Sequence, residues 1–169
     1  MNSKLIIVNT LRWFLLLFIQ VFLLRKVALY NLYTPFIYIL FLLLLPFGIP
    51  NFLLYLLAFL TGLTMDAFYD TLGVHTSACV LLAFIRIVFI NITLTRDSFD
   101  EPEPTLGNMG IKWFILFSLA CILSHHLVVF LLEAFKFSEI GYTLTRCLLS
   151  ASFTFGLIIL TQSIFYNKK

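Results

Sequence analysis

The residues that could do chemistry are few, and most lie between Ala58 and Arg86. Asp66, Asp70, His75 and Arg86 stand there in an otherwise apolar stretch. Two membrane acids could form a carboxylate dyad of the kind that suggests intramembrane proteolysis. Ala58, Gly62, Asp66 and Asp70 recur every fourth residue, so on a helix they share one face. Both acids then belong to one helix, whereas a dyad needs two carboxylates brought face to face. His125-His126 followed by Glu133 could hold a metal, but adjacent histidines point about 100° apart on a helix and the H-E-x-x-H pattern is missing. No metal and no cofactor are expected. Cys79, Cys121 and Cys147 sit in apolar runs and read as small buried hydrophobes. There is no nucleophile elbow, P-loop or dinucleotide fingerprint, so an enzyme is not expected. Coupling to protons or ions would need several buried acids, and only Asp66 qualifies.

The elements that must position these residues are membrane helices. Of 169 residues, 62% are hydrophobic and 11% charged, against about 25% charged in a soluble domain. The net charge of +3 includes no basic cluster of the kind nucleic acid attracts. A helix of about 20 residues crosses a bilayer core. By that measure we expect an all-α integral membrane protein, a six-transmembrane-helix bundle forming one domain, with spans at about 5–24, 35–47, 51–69, 75–94, 111–132 and 142–165. The first span stays as an anchor, since no small-residue cleavage site follows it. Asn9, Arg12, Leu16 and Gln20 give it one polar stripe. Pro46, Gly48 and Pro50 break the next apolar run. The reading is two short helices, the first only partly crossing; a single long kinked helix is the alternative. Residues 95–110 form an acidic loop with Asp97, Asp100, Glu101 and Glu103, either a solvated connector or a docking strip for a basic partner.

A carboxylate at Asp66 and a guanidinium at Arg86 must face protein, water or a partner, because hydrocarbon offers them nothing. Arg86 counts about 10 Å deeper than Asp66, so direct pairing is not favoured. Ala58 and Gly62 form one small-xxx-small pair and Ser152 and Gly156 another, so tight helix crossings are expected at both. With six spans the termini share a side. Lys4, Arg12, Arg96, Lys112, Lys168 and Lys169 fall there, against Arg25, Lys26, Lys136 and Arg146. The positive-inside rule then puts both termini in the cytoplasm.

Gly62-Leu63 followed by Asp66, then Leu72-Gly73-Val74-His75 opening an apolar helix, resembles the rod shape-determining protein MreD family of bacterial inner-membrane proteins. Length, Gln20 in the first span, the broken second–third pair, Ala83-Phe84-Ile85-Arg86 and the His125-His126 to Glu133 region are also similar. The acidic loop departs from a minimal member. The resemblance implies a fold like the substrate-binding component of energy-coupling-factor transporters, without implying a ligand. It implies a non-enzymatic subunit of the cell-elongation machinery in the inner membrane. Such a subunit works beside MreC and, indirectly, the actin-like MreB, the RodA glycosyltransferase and its penicillin-binding transpeptidase, and helps organise peptidoglycan synthesis. Gly62, Leu63, Asp66, Gly73, His75 and Arg86 are then the candidate seam, for a partner or for internal packing of the third span on the sixth. A small-molecule uptake component is the alternative function.

Overall fold

Proline and glycine decide where this chain can be helical. The computed structural model describes residues 3–25, 34–94, 103–135 and 139–165. Arg96 and the loop acids Asp97, Asp100 and Glu101 lie outside those residues, as do Lys26, Lys136, Lys168 and Lys169. The described residues form helices and turns and no strand: α1 (Ser3–Phe18), α2 (Ile39–Leu43), α3 (Asn51–Tyr69), α4 (Val74–Thr93), α5 (Leu106–Met109), α6 (Ile111–Ala134) and α7 (Ile140–Ile164). α1 continues as a π-helix over Ile19–Leu24. Five helices, at Ser3–Leu24, Asn51–Tyr69, Val74–Thr93, Ile111–Ala134 and Ile140–Ile164, are long and apolar enough to cross a membrane. Their outer faces carry exposed Phe, Leu and Ile throughout, as lipid contact requires. This is a multi-pass helical membrane protein.

The helices α3, α4, α6 and α7 pack each on the next in chain order. Against them lies the stretch from Thr34 to Pro50. Where a helix over 35–47 is expected, only Ile39–Leu43 is helical. Pro35 and Pro46 bracket it and withhold two backbone donors. The result is a largely unwound strap in place of a short helix. It runs antiparallel to α1: Ile37 N–H meets Gln20, and Leu44 C=O meets Arg12. All ten residues from Phe36 to Leu45 are at most 8% exposed. Such backbone survives at membrane depth only when protein surrounds it, since every unpaired group there costs several kcal/mol. α2 touches α1, α3, α4 and α6, so the strap is the centre of the bundle.

The α3–α4 connection is tight for a backbone reason. Asp70 ends α3 in the left-handed region at φ 56° and Gly73 opens α4 at φ 81°. Two reversals within four residues fold α4 back along α3, and glycine takes the second without strain.

Candidate functional site

At this hairpin the predicted seam assembles. Asp66, 4% exposed, points across at the start of α4. Its Oδ1 accepts from Thr71 Oγ1 at 2.5 Å and from His75 N–H at 2.9 Å. Its Oδ2 accepts from Thr76 N–H at 3.0 Å and Thr76 Oγ1 at 2.6 Å. The carboxylate thus caps two of the free N–H groups that open a helix, where the dipole also favours negative charge. Gly62, one turn earlier, lets this happen. A Cβ there would stand 2.7 Å from both His75 O and Thr76 N, and closer still to Thr76 Cα. The α3 and α4 backbones therefore touch at Gly62, as the Ala58–Gly62 pair implies.

A second set of polar side chains holds the strap. Gln20 donates to Pro35 C=O and to Tyr69 Oη, both at 2.9 Å, and accepts from Ile37 N–H at 2.8 Å. Thr34 N–H donates to Ser150 Oγ at 3.1 Å and Phe36 N–H to Thr154 Oγ1 at 3.0 Å. At the other end two arginines converge on three successive carbonyls. Arg12 Nη1 donates to Leu44 O at 3.3 Å, while Arg86 Nη2 donates to Leu45 O and, at 3.4 Å, to Pro46 O. These carbonyls follow directly on the C-terminal end of α2, where positive charge is favoured, and Pro46 C=O accepts from Ile49 N–H as well, at 3.4 Å. Between the two ends sits Tyr38. Its hydroxyl lies 3.0 Å from His75 Nδ1 and 2.7 Å from His125 Nε2. A phenol has one proton, so Tyr38 donates to one ring and accepts from the other. The far nitrogens, His75 Nε2 and His125 Nδ1, are buried without a hydrogen-bond partner among the described residues. Phe36 stands edge-on to both rings, at 5.3 and 5.8 Å between centroids. His126 turns the other way: its Nδ1 donates to Ile122 O at 2.9 Å and its Nε2 faces Thr154 Oγ1 at 3.0 Å.

No family model, curated protein or solved structure matches this chain. The geometry alone therefore describes the site. Gly62, Asp66, Gly73 and His75 come together at the hairpin. Arg86 stands apart, on the strap, and no ion pair joins it to Asp66 among the described residues. Leu63 points outward, 48% exposed.

Several expectations change. The helix locked by Gly62 and Asp66 is the fourth span, not the sixth, because a four-residue reversal leaves the two helices side by side. Ser152 and Gly156 do not form a tight crossing. Both are exposed and a Cβ at Gly156 would meet nothing within 4 Å. The packed face of α7 is instead Cys147, Ser150, Ala151, Thr154 and Ile158. His125 and His126, read from the sequence as structural hydrogen-bonding residues near the membrane interface, lie in the core.

Sequence reasoning missed Tyr38, Ser150 and Thr154 as members of the site. The available signal was the strap's own need: a proline-bracketed apolar segment must have its backbone satisfied by side chains, and these are suitable donors and acceptors. These contacts tie the strap and the hairpin to the helices around them. Asp66, Arg86 and Gln20 bind backbone or hydroxyl groups of their own chain, and Arg12 binds Leu44 C=O together with the side chains of Asn9 and Glu103.

Proposed function

We propose that this chain is a member of the MreD family: a non-enzymatic subunit of the bacterial cell-elongation complex, embedded in the inner membrane. In this reading it makes six passes, five by long helices and one by the strap, with both termini cytoplasmic. The bundle is similar in kind to the substrate-binding component of energy-coupling-factor transporters. Its partner is the transmembrane anchor of MreC, and through it MreB, the RodA glycosyltransferase and the penicillin-binding transpeptidase.

One observation carries the reading. In Gly62-Leu63-x-x-Asp66, the glycine and the acid are used inward on α4, and Leu63 alone faces out. A motif built this way sets the position of an outward apolar residue with great rigidity, which suits a contact and not a reaction. Phe59, one turn earlier on α3, and Leu72 at the hairpin are also exposed and extend the strip. The test is co-purification of MreC with Leu63→Trp, Phe59→Trp and the unaltered protein at equal membrane abundance. The reading expects a drop of roughly tenfold for Leu63→Trp, in the range of a central interface residue. Unchanged association for both variants would overturn it.

A second reading, a small-molecule uptake component, is favoured by one feature. A cleft of about 510 Å³ opens between α1 and α7, within the range of small-molecule sites. It predicts a water-soluble metabolite carried through purification.

A further inference from the structure

The cleft between α1 and α7 has a direction. Its polar lining is at one end of the bundle: Thr161 and Gln162 in the last turns of α7, and Glu103, Thr105 and Asn108 in the connection before α6. Of its apolar lining, Val8 and Phe165 flank that end, while Leu15, Leu16, Leu40 and Leu44 lie further in along α1 and the strap. A bilayer leaflet has the same gradient, from polar headgroup to hydrocarbon, in the same direction.

At the boundary between the two halves stands the ion pair of Arg12 and Glu103. The contacts are loose, 3.3 Å from Nη1 to Oε1 and 3.4 Å from Nη2 to Oε2. Charge-assisted bonds normally close to about 2.7–2.9 Å. Neither group is fully covered: the Arg12 side chain is 20% exposed and that of Glu103 is 13% exposed. Each is anchored from behind by its own chain or a neighbour. Asn9 Oδ1 accepts from Arg12 Nη1 at 2.8 Å, and Asn9 Nδ2 donates to Glu103 Oε1 at 3.1 Å. A cation and an anion are thus held side by side, above an apolar slot, in a cleft between α1 and α7.

We propose that this cleft holds one phospholipid with a zwitterionic, primary-ammonium headgroup. Its phosphate oxygens accept from the Arg12 guanidinium, whose planar fork suits phosphate. Its ammonium donates to the Glu103 carboxylate. One acyl chain lies along Leu15, Leu16, Leu40 and Leu44. The two charges of the headgroup complement the two charges of the site, which an anionic glycerol headgroup does not. The inference is independent of the partner contact at Leu63, which lies on α3.

The test is native mass spectrometry of the full chain released from nanodiscs of equal phosphatidylethanolamine and phosphatidylglycerol. The expected result is one retained lipid, with phosphatidylethanolamine favoured by about fivefold, the value of one partly exposed ion pair. Glu103→Gln should bring the ratio to about one or reverse it. Val8→Phe, which fills the mouth of the cleft from an exposed position, should abolish retention of either lipid without changing the melting temperature. That variant keeps the test decisive should Glu103→Gln fail to fold. Equal retention of both lipids by the unaltered protein, or retention unaffected by Val8→Phe, would overturn the proposal. So would a water-soluble metabolite in place of lipid, the result the uptake reading expects.

Discussion

Asp66 is the residue on which the hairpin turns. Four donors from Thr71, His75 and Thr76 converge on it. Asn at that position has one acceptor oxygen, and its NH2 must face one of these donors. Asp66→Asn is therefore expected to destabilise the protein by about 1–3 kcal/mol, the cost of leaving buried donors unmet. Thermal unfolding in detergent measures it. Arg86 should behave similarly for a different reason. Arg86→Leu removes the donors that meet Leu45 and Pro46, and a loss of about 2 kcal/mol should lower the melting temperature by roughly 4–8 °C. An unchanged melting point would mean that water or lipid satisfies those carbonyls as well as the guanidinium does.

Among the elements, α3–α4 and the strap differ in how far they could be read in advance. The hairpin was legible because its signals are local. Gly62, Asp66 and Gly73 lie within twelve residues, and helical spacing places them. The strap was not. Tyr38 looks like one more aromatic in an apolar run, and its partners His75 and His125 come from two other helices. Arg86 was correctly kept from Asp66, but its true partners are carbonyls, which no side-chain pattern displays. The two small-residue pairs show the same limit. Spacing identifies a close approach only if another helix is there, as for Gly62 and not for Gly156. Alanine substitution should separate them. Gly62→Ala is expected to cost about 1–3 kcal/mol by overpacking against the α4 backbone. Gly156→Ala should be neutral or stabilising by up to about 1 kcal/mol from helix propensity. Paired melting curves check both, and equal effects would refute the packing described for α3.

At the scale of the whole molecule, the buried polar groups are concentrated on the unwound strap and the hairpin, and the outer surface is left apolar. Composition announced the membrane class, since 62% hydrophobic residues leave no other solvent for the surface. It could not announce that the stretch from Thr34 to Pro50 would be irregular. The proposed six passes would put Lys4 and Phe165 at one face and Leu72 at the other. Cysteine substitutions at these three positions should label accordingly with a membrane-impermeant reagent. The native Cys79, Cys121 and Cys147 are buried and should stay silent. Labelling of Leu72→Cys from the same side as Lys4→Cys would refute the topology.

The central claim is that the polar seam acts by holding the fold, so that loss of the Asp66 carboxylate harms function only through loss of folded protein. On the proposed role in cell elongation, a depletion–rescue experiment with Asp66→Asn, scoring rod shape against the amount of folded protein in the membrane, tests it most directly. We expect shape to recover in proportion to that amount, and fully when expression restores it. Normal quantities of folded Asp66→Asn protein in cells that remain round would contradict the claim, and would place the carboxylate itself in contact with a partner.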